Sequence, residues 1–435
     1  MSYNPPPQSP IPADSLPVAG VDPVAPKPLV YRLPSPTVAT VCFLVAMVLF
    51  NLLALFGRRI FGLSSIWVTF IGEIILVAAL PLIFCKVLKY DFKQVFSHQP
   101  LQLGTLALCA LVGLIAQFAV RLPSFVSNWL LQIFGPLYLP DQLEDGTPVG
   151  KWLLALVALV LAPLCEEILN RGFVMAGYRR FGYWRCIMIV GLFFGLFHQY
   201  PYRLLDTAIA GMILAYLTLT TGSIYASMAA HFGFNLLPTI VNFFREAINQ
   251  ALRDSNYEYS NSDILIITGD QIVASIILSL ISAALLFLLL RVITLSTARV
   301  RPGLVVNYNG LALDFVDSRD GVTNAENGSY YGPANQPYRY ASFGYQPVPL
   351  PFPTHLRPVQ AVEIPSPRVG WVIAFVLILV LFAFTSYTEI MLRAEGRNIC
   401  SRTPRICVTQ VIPQSSNSRY VTNLIYPGLS IKIFP

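Results

Sequence analysis

Stretches of about 20 apolar residues recur along this chain, each long enough to cross the ~30 Å hydrocarbon core of a bilayer as a helix. They lie at about 37–57, 64–86, 102–121, 151–175, 184–200, 204–221, 223–244, 271–295 and 369–390. The 435 residues are 55% hydrophobic and only 12% charged, with a mean hydropathy of +0.61. A soluble chain of this length needs far more charge to cover its surface. The expected fold class is therefore all-α: a polytopic transmembrane helical bundle of about eight to nine spans.

The flanks read differently. Residues 1–35, with PPPQSPIPADSLP near the start, resemble a disordered, polyproline-like cytoplasmic tail. No cleavable signal peptide is expected there, because the stretch lacks an apolar run. Residues 36–295 hold the transmembrane bundle, and residues 296–368 form a polar, largely disordered insert in which Asn309-Gly310 favours a small hairpin. A last transmembrane helix at 369–390 precedes a tail, 391–435, expected on the extracytoplasmic side. Residues 125–140 are short and broken by proline, which suits an interfacial helix or loop.

The net charge of +7 does not point to nucleic acid, because the basic residues form no stripe. They gather at the ends of apolar runs, where they set orientation and meet anionic lipid headgroups. Lys86, Lys89, Lys93, Arg179, Arg180 and Arg185 favour an amino terminus on the inside. The seven cysteines show no CxxC pair. Cys42, Cys85, Cys109, Cys165 and Cys186 lie in or beside apolar runs and read as packing residues, whereas Cys400 and Cys407 sit in the polar tail, where a disulfide could close.

Polar groups inside a bilayer are expensive, about 2.5–3.5 kcal/mol per charge on insertion scales. The informative residues are the ones that incur this cost: Glu73, Glu166, Glu167, Arg171, His198, Asp206, His231 and Asn235. The chain has four histidines, and two of them are among these. Glu167 and Arg171 are four apart on one helical face and can pair, while Glu166 is turned about 100° away. His231 and Asn235 also share a face. At about 1.5 Å per residue, Glu166 and His198 both lie roughly 24 Å from the turn at Gly182, and His231 and Asn235 lie roughly 14 and 20 Å from Gly222. Three separate spans thus deliver polar residues to overlapping depths. Glu73 and Asp206 stand apart and read as structural or interfacial.

EEILNRG at 166–172, FGLFH at 194–198 and HFGFN at 231–235 resemble the three motifs of the CPBP (CAAX protease and bacteriocin-processing) intramembrane endopeptidases. The ordered pattern is Glu-Glu-x-x-x-Arg, Phe-x-x-x-His, then His-x-x-x-Asn, and the similarity covers roughly 100–245. Asn170 departs from it, standing where the family usually has an aromatic residue before the arginine.

Peptide hydrolysis needs an activated water and stabilisation of a tetrahedral oxyanion. The resemblance implies an intramembrane endopeptidase with Glu166 as base, His198 holding the water, and His231 and Asn235 donating to the oxyanion. Arg171 would neutralise Glu167 in support. No cofactor is favoured; zinc at Glu166, His198 and His231 is the alternative, since two histidines and a carboxylate match a catalytic zinc set. The implied partners are membrane lipid and a membrane-anchored or prenylated protein or peptide substrate. A proton-coupled transporter using the buried Glu/His cluster and a catalytically silent scaffold or immunity protein are the competing classes. The unusual tails suggest a prokaryotic plasma membrane.

Overall fold

A computed structural model describes residues 29–135, 137–138, 147–254, 264–265, 269–300, 330–331, 337–338, 359–362 and 368–402. Among these residues eight helices are long and apolar enough to cross a membrane. In chain order the main helices are α1 (Pro36–Phe61), α2 (Ser65–Val87), α3 (Leu103–Phe134), α4 (Pro148–Phe181), α5 (Tyr183–Phe197), α6 (Pro201–Thr221), α7 (Ile224–Phe243), α8 (Gly269–Val300) and α9 (Arg368–Arg402). Helix α5 is the short one. The chain is an integral multi-pass membrane protein of the all-helical kind, and each expected apolar run became a helix.

Three boundaries differ from the expectation. Residues 121–131 continue α3 as a helix after a break at Val120, the helical one of the two alternatives expected over 125–140, and it begins earlier. Arg121, Ser127 and Asn128 turn inward on this segment and find protein around them, which makes a helix there tolerable despite Pro123. Helix α9 continues past its apolar run to Arg402, because Glu389 and Arg393 pair along it. Leu29–Arg32 pairs in parallel with Val359–Val362, so the two polar flanks meet as a short ribbon. Two shorter antiparallel pairings join Leu137–Tyr138 to Ile264–Leu265 and Tyr330–Tyr331 to Pro337–Tyr338. Asn309-Gly310 and Cys407 lie outside the described residues, as does the side chain of Cys400. The five other cysteines are free and buried.

Packing follows from small residues. Helix α3 lies between α7 and α8, α5 packs on α6, and α9 packs on α1. Where α3 crosses α7, a Cβ at Gly113 would stand 1.7 Å from the Ala230 carbonyl oxygen, and one at Gly233 1.9 Å from that of Ala110. Lipid supplies no hydrophobic force between helices, so such close backbone approach is what holds them. Two apolar clusters result. One, including Phe43, Leu169, Phe173 and Phe193, joins α1, α2, α4 and α5. The other, including Val112, Phe194, Leu214 and Ala230, joins α3, α5, α6, α7 and α8. The seam between them holds the polar residues of α4.

The Gly113→Val protein is expected to lose about 3 kcal/mol or more of stability through overpacking against the Ala230 carbonyl. Gly104→Ala should change little, because nothing lies within 4 Å of a Cβ there. Thermal unfolding of the two variants in detergent checks the contrast.

Candidate active site

Helix α4 carries the acidic motif through two stretches wound more loosely than an α-helix. Val157–Leu161 and Ile168–Val174 are π-helical, a geometry that often marks functional sites. In the first, Ala162 donates its N–H five residues back, to the Val157 carbonyl. The next such bond would run from residue 163 to Ala158, but Pro163 has no N–H to give. Asn235 Nδ2 supplies that hydrogen instead, donating to the Ala158 carbonyl at 2.9 Å. One of the two amide hydrogens of Asn235 is therefore committed to the backbone of α4.

The second stretch begins just after Glu166 and Glu167, and the two carboxylates part company. Glu167 is fully buried, and its Oε1 accepts from Arg171 Nη1 at 2.9 Å and from His231 Nδ1 at 2.9 Å. Arg171, also fully buried, donates from Nη2 to the Gly211 carbonyl at 2.9 Å. Its guanidinium lies 4.4 Å from the centre of the Phe194 ring, a favourable cation–π distance. Glu166 is buried too, and its Oε2, like Glu167 Oε2, has no partner among the described residues. Asn170 donates to the Glu166 backbone carbonyl at 2.9 Å, so the residue that departs from the motif stays within its own turn.

The histidines are oriented by what their Nδ1 atoms touch. His198 Nδ1 lies 2.9 Å from the Phe194 carbonyl oxygen, which can only accept. The hydrogen is therefore on Nδ1, and neutral His198 presents Nε2 as a lone pair. His231 donates from Nδ1 to the Glu167 carboxylate, which leaves its Nε2 in the same condition. Phe194 stands beside both rings, at 5.0 Å from His198 and 5.6 Å from His231. Glu167, Arg171 and His231 are thus in direct contact, and Phe194 links His198 to them. Asn235 reaches α4 one to two turns earlier, at Ala158. Glu73, which belongs to none of the motifs, is buried on a π-helical stretch of α2 that packs against Ala162–Glu167, and its Oε2 is unpartnered as well.

Among the described residues no three His, Cys, Asp or Glu side chains converge as ligands of one metal ion. No step below runs through a metal.

Residues 148–237 match a family model, the type II CAAX prenyl endopeptidase Rce1-like family. This segment is similar to that family. The match contains all three motifs but not Glu73, in agreement with the CPBP resemblance. No curated protein and no solved structure matches the chain.

Sequence reasoning missed residues both inside and outside the matched segment. Phe194 stood in the FGLFH motif but was not read as the contact between the histidines and Arg171. Glu389 and Arg393, in α9, form a second buried pair, Nη2 to Oε1 at 2.7 Å. Their i, i+4 spacing repeats that of Glu167 and Arg171 and was the available signal; placing the end of the span at 390 hid it.

Glu167→Gln should destabilise the protein by about 3–5 kcal/mol, because it leaves Arg171 buried without its counter-charge. Glu166→Gln removes no hydrogen bond to its side chain and should cost less than about 1 kcal/mol. Denaturation of the two purified variants in mild detergent distinguishes them.

Proposed function

We propose that the chain is an intramembrane endopeptidase of the CAAX-processing kind, hydrolysing a peptide bond in a membrane-anchored or prenylated protein. The carrying observation is the difference between adjacent carboxylates: Glu167 meets Arg171 and His231 through Oε1, whereas Glu166 bonds neither of them, and the buried Oε2 of each is uncommitted. A base must keep a lone pair for the proton it takes. Glu166 has one in a site walled by apolar side chains, where electrostatic interactions are strong. The Rce1-like match over the same residues supports this reading.

In the reaction Glu166 takes one proton from water while His198 Nε2 accepts a hydrogen bond from the O–H that remains and orients it. The hydroxide attacks the scissile carbonyl carbon, and the carbonyl electrons move onto oxygen. Asn235 donates its free amide hydrogen to that oxyanion. His231, held at Nδ1 by the Glu167 carboxylate, shares a helix face with Asn235 beside that oxygen. Glu166 then returns its proton to the leaving amine as the C–N bond breaks. Arg171 holds the Glu167 carboxylate in place through Oε1. It touches no reacting atom.

Quenched peptides, prenylated and unprenylated, would be incubated with the purified protein and with Glu166→Gln. Wild type should cleave at least one of them, and the variant should lose about a hundredfold or more in kcat. A chelator should leave wild-type activity unchanged. Equal cleavage by the variant overturns Glu166 as the base, and loss on chelation overturns the metal-independent mechanism.

A further inference from the structure

The turn that carries His198 is an exposed weakness in the site. Helix α5 ends at Phe197, and Gln199 adopts a left-handed backbone with φ +60°, unusual for a residue with a side chain. Helix α6 begins at Pro201, so its first N–H groups have no partner within the helix. Within the turn the His198 and Gln199 N–H groups bond back to the Gly195 and Leu196 carbonyls, which leaves the Gln199 side chain and the Tyr202 N–H for partners outside it.

Two elements outside the matched segment supply those partners. From α1, Asn51 donates Nδ2 to Gln199 Oε1 at 2.9 Å. From α9, Glu389 Oε2 accepts the Tyr202 backbone N–H at 3.2 Å. A carboxylate at this place satisfies one of the orphan donors and suits the positive end of the α6 dipole. Glu389 is held in turn by Arg393, which donates from Nε to Oε1 at 2.8 Å. Arg393 is anchored to α3 by Asn128 Oδ1 at 3.0 Å. Glu389 and Arg393 are each only 1% exposed.

We propose that the Glu389–Arg393 pair of α9 is a positioning device for His198, acting as a cap supplied to α6 from a distant part of the chain. The two buried Glu–Arg pairs of the protein then hold the same helix. Arg171 grips α6 at the Gly211 carbonyl and Glu389 grips it at the Tyr202 N–H, nine residues or about 14 Å apart. The first sets α6 against the acidic motif and the second sets the His198 turn. The catalytic role of His198 rests on the function proposed above, but the geometric claim does not.

The test compares two double variants of the full chain, each lacking both charges so that none is left buried alone. In E389Q/R393M the glutamine oxygen still accepts from Tyr202; in E389L/R393M nothing does. Peptide cleavage and the ¹⁵N resonances of His198, assigned among the four histidines with H198Q, are recorded for both. E389L/R393M should lose about tenfold in kcat with KM within about twofold, as misplacement of a catalytic group does. Its His198 resonances should move, while E389Q/R393M stays near wild type in both readouts. Equal behaviour of the two variants, whether both intact or both impaired, overturns the proposal. If wild type cleaves no peptide the proposed function fails, and the His198 resonances still decide whether Glu389 positions that turn.

Discussion

A guanidinium and a carboxylate, both withdrawn from water, set the terms for the middle of this protein. The Arg171–Glu167 pair sits where each charge alone would cost about 2.5–3.5 kcal/mol or more. The pair is tolerable only because every neighbour contributes: His231 to the carboxylate, the Gly211 carbonyl and the Phe194 ring to the guanidinium. Those neighbours come from α5, α6 and α7, so the ion pair of α4 fixes the approach of three further helices. Low dielectric makes such a network all-or-nothing.

The same commitment is what frees Glu166. Two carboxylates adjacent in sequence point about 100° apart on a helix, and only one of them meets the counter-charges. The other is left buried with an open lone pair. The π-helical turns on either side of Ala162–Glu167 belong to the same economy of hydrogen bonds. Pro163 removes a donor, Ala158 loses its partner, and Asn235 crosses from α7 to replace it. A packing defect in one helix thereby draws a side-chain amide to the site from another.

Close helix contact makes these meetings possible. Gly113 and Gly233 let α3 and α7 approach until only a hydrogen fits between backbones, which brings His231 within reach of α4. The second buried pair, Glu389–Arg393, extends the principle to a helix far along the chain. Both pairs seat an arginine among carbonyl and amide oxygens, and both end on α6.

The number and order of the helices were legible in the sequence, because hydrocarbon tolerates few other structures and an apolar run of the right length has one outcome. The polar residues that matter were legible for the converse reason: Glu166, Glu167, Arg171, His198, His231 and Asn235 each break a run that lipid would prefer unbroken. Their spacing showed that Glu167 could meet Arg171. It did not show that His231 would meet the same oxygen, that Asn235 would serve a proline's orphaned carbonyl, or that Phe194 would lie between two histidines. Those are contacts between helices, and a helical period constrains only what happens along one. The last helix makes the point sharply. Glu389 and Arg393 read as the polar end of a span, and only the tertiary structure, by folding α9 against α1 and α3, turned that end inward to the turn that bears His198.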